Sequence, residues 1–209
     1  MQCPHCGIQI HAYWINHSII RNQANTGWEL FSTDCPNCHE MTFELKDRTN
    51  KRFRVYPIGT NRGPTPPEVP IHIAQDYKEA CIVFTHSPKA SAALSRRCLQ
   101  TMLHEHGYKN HDLAKEIDLL LNESDPRKAI PESLRNTIDG ILNFGNFSAH
   151  PITDLTSLQI IDVEPHEAEW CLDIVEEMFQ HYYVRPALAK KRKDDLDTKL
   201  KAAGKPPSK

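Results

Sequence analysis

Cys3-Pro4-His5-Cys6-Gly7 and Cys35-Pro36-Asn37-Cys38 are two Cys-x-x-Cys turns separated by 28 residues. Such a turn sets two thiolates on one side of a tight loop, and two turns supply the four sulfurs of a tetrahedral zinc site. Proline after the first cysteine and Gly7 after the second suit a loop that must fold back toward a metal. Cys3, Cys6, Cys35 and Cys38 are therefore the expected ligands of a structural Zn²⁺. A closed four-thiolate site leaves no position for a reacting water, so it organises chain and does no chemistry.

Working outward, the spacing exceeds the roughly 15–20 residues usual between paired turns. A hairpin between them accounts for the excess. Ile8–Ile15 and Trp28–Phe31 read as its strands, joined by a turn at Asn25-Thr26-Gly27. Met41–Leu45 and Phe53–Tyr56 read as two further strands. Residues 1–57 are thus expected to form a small β zinc ribbon. Five prolines and two glycines between Pro57 and Pro70 mark residues 58–75 as a linker. Within the ribbon, Tyr13, Trp14, Arg21, Trp28, Arg48, Lys51, Arg52 and Arg54 offer aromatic and cationic groups for a partner, and Lys46–Arg54 holds five cations against one acid.

From Asp76 the pattern becomes helical. Helices are expected over Asp76–Phe84, from Pro88 behind a Ser87 cap to about His106, over Leu113–Leu121, from Pro131, and from Pro165 to Arg185-Pro186. Ile152–Val163 reads as a loop or short extended segment. Five apolar stripes need a common core, which predicts an α-helical bundle over residues 76–186. Residues 187–209 form a basic tail, a frayed helix giving way to disorder.

Composition narrows the function classes. The chain has 39% apolar and 25% charged residues and no apolar run long enough to span a bilayer. A metal ligand at position 3 leaves no room for a signal peptide, and four of seven cysteines pair as metal turns, so a reducing cytoplasm is expected. Residues 1–75 carry seven Lys/Arg and six Asp/Glu, residues 76–186 ten and eighteen, and the tail eight and three. The acidic middle argues against a broad surface that coats nucleic acid, whereas the tail or ribbon still admits RNA or DNA.

Within the helical region, Asn146 and His150 in Asn143-Phe144-Gly145-Asn146-Phe147-Ser148-Ala149-His150-Pro151 are i and i+4 and share a face if a helix reaches that far. His150 suits general acid–base work near neutral pH, or else caps the helix. On the helix after Ser87, Ala90, Ala93, Leu94 and Arg97 fall on one side. Arg97 is expected to be partly buried and paired with a carboxylate or aimed at phosphate, with Arg96 pointing outward. Cys81, Cys98 and Cys171 sit on apolar helix faces as inert thiols.

Three strings, Val69-Pro70 with Asp76-Tyr77 and Glu79-Ala80, Ser87–Leu99 (SPKASAALSRRCL) and Gly145–Pro151 (GNFSAHP), resemble the bacterial domain of unknown function 4145 over about Pro70 to Pro186. The knuckled N-terminus resembles one carried by members of that family. The family is similar to the HEPN superfamily of helical bundles, which includes RNases of toxin and antiphage systems. The resemblance implies a mainly α chain, a HEPN-like bundle that forms a homodimer, and an RNase motif in which Asn146 and His150 match a polar residue and the histidine. Gly145 stands where that motif has arginine, and Leu142 where the family often has one. Arg96 or Arg97 would then have to supply the cation.

Three readings follow. The first is a cytoplasmic zinc-containing binding or regulatory protein, homodimeric through the bundle, with a protein partner and a role in defence against phage or foreign nucleic acid that only the resemblance implies. The second is a metal-independent endoribonuclease using His150, Asn146, Arg97 and Arg96. The third is a DNA-contacting accessory protein acting through ribbon and tail, and none of the three involves a membrane.

Overall fold

The computed structural model describes residues 1–21, 24–59, 62–138, 140–142, 152–153 and 160–208 of the chain. These divide into two compact units, Met1–Pro64 and Thr65–Lys209.

The first unit is an antiparallel sheet in the order β1 (Ile15–Arg21), β2 (Ala24–Asp34), β3 (Met41–Lys46) and β4 (Arg52–Tyr56). The first strand begins where Ile8–Ile15 was expected to end. The reason is that residues before it close the first cysteine turn: the Cys3 N–H donates to Ile8 O at 2.9 Å and the Met1 amino group to Ile10 O at 2.8 Å. Asn25-Thr26-Gly27 is not the hairpin turn either. It lies inside β2, where the register shifts between Ser18 and Ile20, and Gly27 takes φ 75°. Such a bulge needs a residue that tolerates positive φ.

Strand alternation divides this sheet into unlike faces. On one face Asn16 donates to Glu29 at 2.7 Å, Lys46 pairs with Glu29 at 3.2 Å, and Arg52 pairs with Glu44 at 2.5 Å. The Arg52 guanidinium also lies over the Trp14 and Phe31 rings, 4.4 and 4.0 Å from their centroids. The other face carries Ile15, His17, Trp28, Leu30, Phe43, Leu45 and Phe53, with His17 Nε2 2.9 Å from Ser32 Oγ and Trp28 edge-on to Phe53. None of these seven is fully buried.

In the second unit the helices are α1 (Ile71–Val83), α2 (Pro88–Glu105), α3 (Leu113–Leu121), α4 (Glu132–Arg135), α5 (Pro165–Phe179) and α6 (Arg185–Ala202). Local chemistry fixes the ends of α2 and α3. Ser87 Oγ accepts from the Ala90 N–H at 3.3 Å ahead of Pro88, and the Asp112 carboxylate accepts from the Ala114 N–H at 3.0 Å. Gly107 ends the α2 stretch with φ 95°, and the Tyr108 N–H donates back to Leu103 O at 2.9 Å. Helix α2 packs on α1, α5 and α3. Its core face is Ser91, Ala92, Ser95, Cys98, Leu99, Met102 and Leu103, which meets Ile73, Tyr77 and Ala80 of α1 and Leu172, Val175 and Phe179 of α5. Each large aliphatic or aromatic group buried here contributes about 1.5–3 kcal/mol.

The expectation of a mainly α protein with a small β appendage is corrected by this architecture. Helix accounts for 47% and strand for 15%, and the four-stranded sheet occupies the first unit while the helices occupy the second. The under-reading has a physical source: β2 runs eleven residues through the bulge, where a short strand was expected. The second unit also holds a two-stranded ladder, Ile152–Thr153 with Ile160–Ile161. Helix α1 begins five residues before Asp76, directly after Pro70. Beyond α5 the helix does not stop at Arg185-Pro186. It widens into a π-helical turn over Gln180–Val184 and resumes as α6, with Pro186 tolerated in the first turn of α6. Among the described residues no helix is long and apolar enough to cross a membrane.

Candidate functional site

The two cysteine turns are copies of one another. The Gly7 N–H donates to Cys3 O and the His39 N–H to Cys35 O, both at 2.9 Å. The Cys3 N–H donates to Ile8 O at 2.9 Å and the Cys35 N–H to Glu40 O at 3.0 Å. Each turn therefore pins its first cysteine from both sides and leaves its second at the loop tip. Cys3 Sγ lies 3.8 Å from Cys38 Sγ, and Cys6 Sγ 3.7 Å from Cys35 Sγ. All four sulfurs fall within 4.8 Å of one another, as ligands of a single metal ion do. Asn37 Nδ2 donates to Cys6 Sγ at 3.7 Å, and the His5 ring bonds Met41 O at 2.8 Å, outside the ligand set.

Crowded thiols without a cation cannot all ionise. Cys35 is drawn down to about 6, chiefly by the Cys38 backbone N–H and further by that of Asn37. Cys38 is pushed up to about 12. The Glu40 backbone N–H pulls it down, but desolvation and the Cys35, Cys6 and Cys3 thiols outweigh that pull. A divalent cation removes this conflict, because it allows every sulfur to be an anion.

The helical unit distributes the other candidates differently. Arg97 pairs with Asp76 through two bonds, Nε–H to Oδ2 at 2.8 Å and Nη2–H to Oδ1 at 2.6 Å, with Glu79 at 3.8 Å. Its side chain is 57% exposed, so the pair is a surface one. Arg96, expected to point outward, is the more covered of the two and donates to Leu142 O at 3.2 Å. The exchange follows from the face of α2 that packs: Ser91, Ser95 and Cys98 face the core, and Ala90, Ala93 and Arg97 do not share it. Asn146 and His150, with Gly145, lie outside the described residues. Cys98 and Cys171 are fully buried, and burial pushes Cys171 up to about 12.

One polar cluster escaped the sequence reading. Glu116 is completely buried on α3. Its Oε1 meets His104 Nε2 at 2.5 Å and accepts from Gln100 Nε2 at 3.3 Å and the Asn110 N–H at 3.1 Å. Arg96 belongs to this electrostatic neighbourhood, held there by Asp112 and Glu116 against the desolvation that lowers its pKa. The available signal was positional: Leu113, Glu116, Ile117 and Leu120 form one buried stripe, with an acid at an apolar position. A separate cavity of about 190 Å³ between α4 and α5 is lined by Ser133, Thr137, Trp170, Asp173 and Glu177 among others, and neither Arg96 nor Arg97 is among its described lining residues.

The profile of one protein family matches residues 78–199, from within α1 through α5 and most of α6. The chain belongs to the family described as Domain of unknown function (DUF4145). No curated protein matches the chain, and no solved structure matches it. The wider likeness to HEPN bundles therefore has no matched fold behind it. In this DUF4145 chain the cysteine cluster lies outside the family match, so the family region and the candidate metal centre are separate pieces of chemistry.

Proposed function

We propose that this DUF4145 protein is a zinc-containing binding or regulatory protein, in which Cys3, Cys6, Cys35 and Cys38 hold one structural Zn²⁺. The carrying observation is the sulfur geometry. Zn–S bonds of about 2.3 Å at tetrahedral angles set the sulfurs about 3.8 Å apart, and the Cys3–Cys38 and Cys6–Cys35 pairs lie at 3.8 and 3.7 Å. Four thiolates complete the coordination, which favours a binding role over metal catalysis in this unit. Homodimerisation through the helical unit is part of the proposal. It is supported by Ile71 and Ile82, 77% and 45% exposed and eleven residues apart on one face of α1.

The binding reading is also favoured over an endoribonuclease by the state of the arginines. The Arg97 guanidinium is engaged by Asp76 and that of Arg96 by the Leu142 carbonyl, so neither is presented as an open phosphate clamp. A role in antiphage or foreign nucleic-acid defence rests on the resemblance alone.

The test is metal analysis of the purified chain with sedimentation equilibrium and an RNA-cleavage assay. One zinc per chain, lost in Cys6→Ser/Cys38→Ser, a dimer weakened by Ile82→Asp, and no cleavage that depends on His150 are expected. Metal-independent cleavage abolished in a folded His150→Ala variant would replace this reading with the endoribonuclease one.

A further inference from the structure

Among its own described residues the first unit supplies no cover for its apolar sheet face, although sheets of this size need one. Phe53 is 39% exposed and Ile15 50%, while Trp28, Phe43 and Leu45 are half-buried beside them. The carboxylates Glu29 and Glu44 lie on the opposite face, each paired with a cation. Asp34 lies at the cysteine end of β2. At the other end, next to Trp28, Arg48 packs against Gly27 and its Nε–H donates to Thr26 O at 2.8 Å, leaving its charge without a carboxylate partner among the described residues. Lys51 stands in the same β3–β4 turn, whose carboxylate, Asp47, is occupied by the N–H groups of Thr49 and Lys51.

We infer that this face is a stacking platform for a single-stranded polynucleotide. Trp28 and Phe53 would take successive bases on their rings, and Arg48 and Lys51 would take the phosphates at the turn. The reading rests on the zinc-closed ribbon proposed above. Two arguments select this occupant. Four strands about 4.8 Å apart and five residues long make a face of roughly 300 Å², far below the about 800 Å² per partner of a stable protein interface and close to the two or three bases that a four-stranded sheet stacks. The charge beside the rings agrees as well: Arg48 and Lys51 stand at the Trp28 end of the face, Asp34 lies at its other end and Asp47 is taken up within its own turn, so the cations next to the aromatic groups match a polyanion with π-surfaces.

The experiment is fluorescence anisotropy of labelled oligo-uridine and oligo-thymidine strands with the full zinc-loaded chain, between about 50 and 200 mM salt. Binding of either strand that weakens with salt is expected. Trp28→Ala and Phe53→Ala should each weaken it roughly tenfold. Arg48→Ala/Lys51→Ala should flatten the salt dependence by about 1.4 in log–log slope, two single-strand phosphates at about 0.7 each. Lys46→Gln, on the opposite face, should bind as the parent does. Zinc content measured on every variant separates failure of the platform from failure of the ribbon. A zinc-replete chain that binds neither strand up to about 100 µM overturns the inference, as does binding indifferent to both ring variants. A concentration-dependent dimer dispersed by Phe53→Ala would also overturn it, because a second copy would then be the cover.

Discussion

Gly7 and His39 hold equivalent places in the two cysteine turns. Each follows the second cysteine of its turn, each donates its N–H to the first cysteine's carbonyl at 2.9 Å, and each has positive φ, 76° and 60°. One position is filled by the residue for which this conformation is free and the other by a side chain for which it is strained, although His tolerates it better than most.

The asymmetry predicts opposite outcomes for two substitutions. Gly7→Ala forces a Cβ into a left-handed conformation and should cost roughly 1–2 kcal/mol. His39→Gly removes that strain but adds unfolded-state freedom, so it should be neutral or stabilising by up to about 1 kcal/mol. Thermal unfolding of the zinc-loaded protein, with chelator competition for the metal, reads both. A destabilising His39→Gly would mean that the His39 side chain has a contact role.

Metal removal should unfold the first unit and leave the second standing. Among its described residues the first unit fully buries only Cys3, Cys35, Ser32, Thr33 and Thr42, so no large aliphatic core remains once the sulfurs lose their ion. Structural zinc supplies about 10–16 kcal/mol in small folds of this kind. Trp14 and Trp28 report on this unit, whereas the helical signal of α1, α2 and α5 reports on the other. Chelation is expected to change the tryptophan emission and leave helical ellipticity and its thermal transition in place. Retention of native emission after complete metal loss would show that the sheet holds itself.

Glu116→Ala should destabilise the helical unit by about 1–3 kcal/mol, because the Asn110 N–H and the Gln100 amide lose a shared acceptor in a closed environment. Arg97→Ala should cost less than about 1 kcal/mol, since its pair with Asp76 is solvent-exposed. Denaturant midpoints at constant slope compare the two. An equal loss in both variants would contradict the burial contrast on which the ranking rests.

What the sequence made legible follows from how local each signal is. The cysteine turns could be read because two pairs of cysteines, each with two residues between its members, are a local pattern that a metal-binding turn requires, and α3 could be read to the residue because a regular apolar stripe runs from Leu113 to Leu121. The start of β1 could not, because the backbone pairing of Cys3 with Ile8 competes with a strand there, and that pairing depends on the turn having closed. The orientation of Arg96 and Arg97 failed for a related reason. Ala, Ser and Cys alternate along α2, and a stripe of such small residues defines a face only once α1 and α5 choose it. Glu116 was hidden because an acid in an apolar stripe reads as surface until three donors are found around it.

The alkaline limb of stability should be set by tyrosines. Tyr108 is raised to about 12, first by burial and then by its hydrogen bond to Glu123, and burial likewise raises Tyr77, Tyr182 and Tyr183. In the unfolded chain a phenol ionises near 10. The folded state thus binds more protons than the unfolded state above that pH, and stability falls as pH rises. Tyr108's contribution is complete below about 10 and is lost as the pH passes through about 12. Helical ellipticity should therefore collapse together with the appearance of tyrosinate absorbance from these four residues. Tyr108→Phe removes one of the linked protons along with the bond to Glu123. That variant should be less stable near neutral pH by about 1 kcal/mol and show a shallower fall on the alkaline side. An unchanged slope would mean that Tyr108 ionises alike in both states.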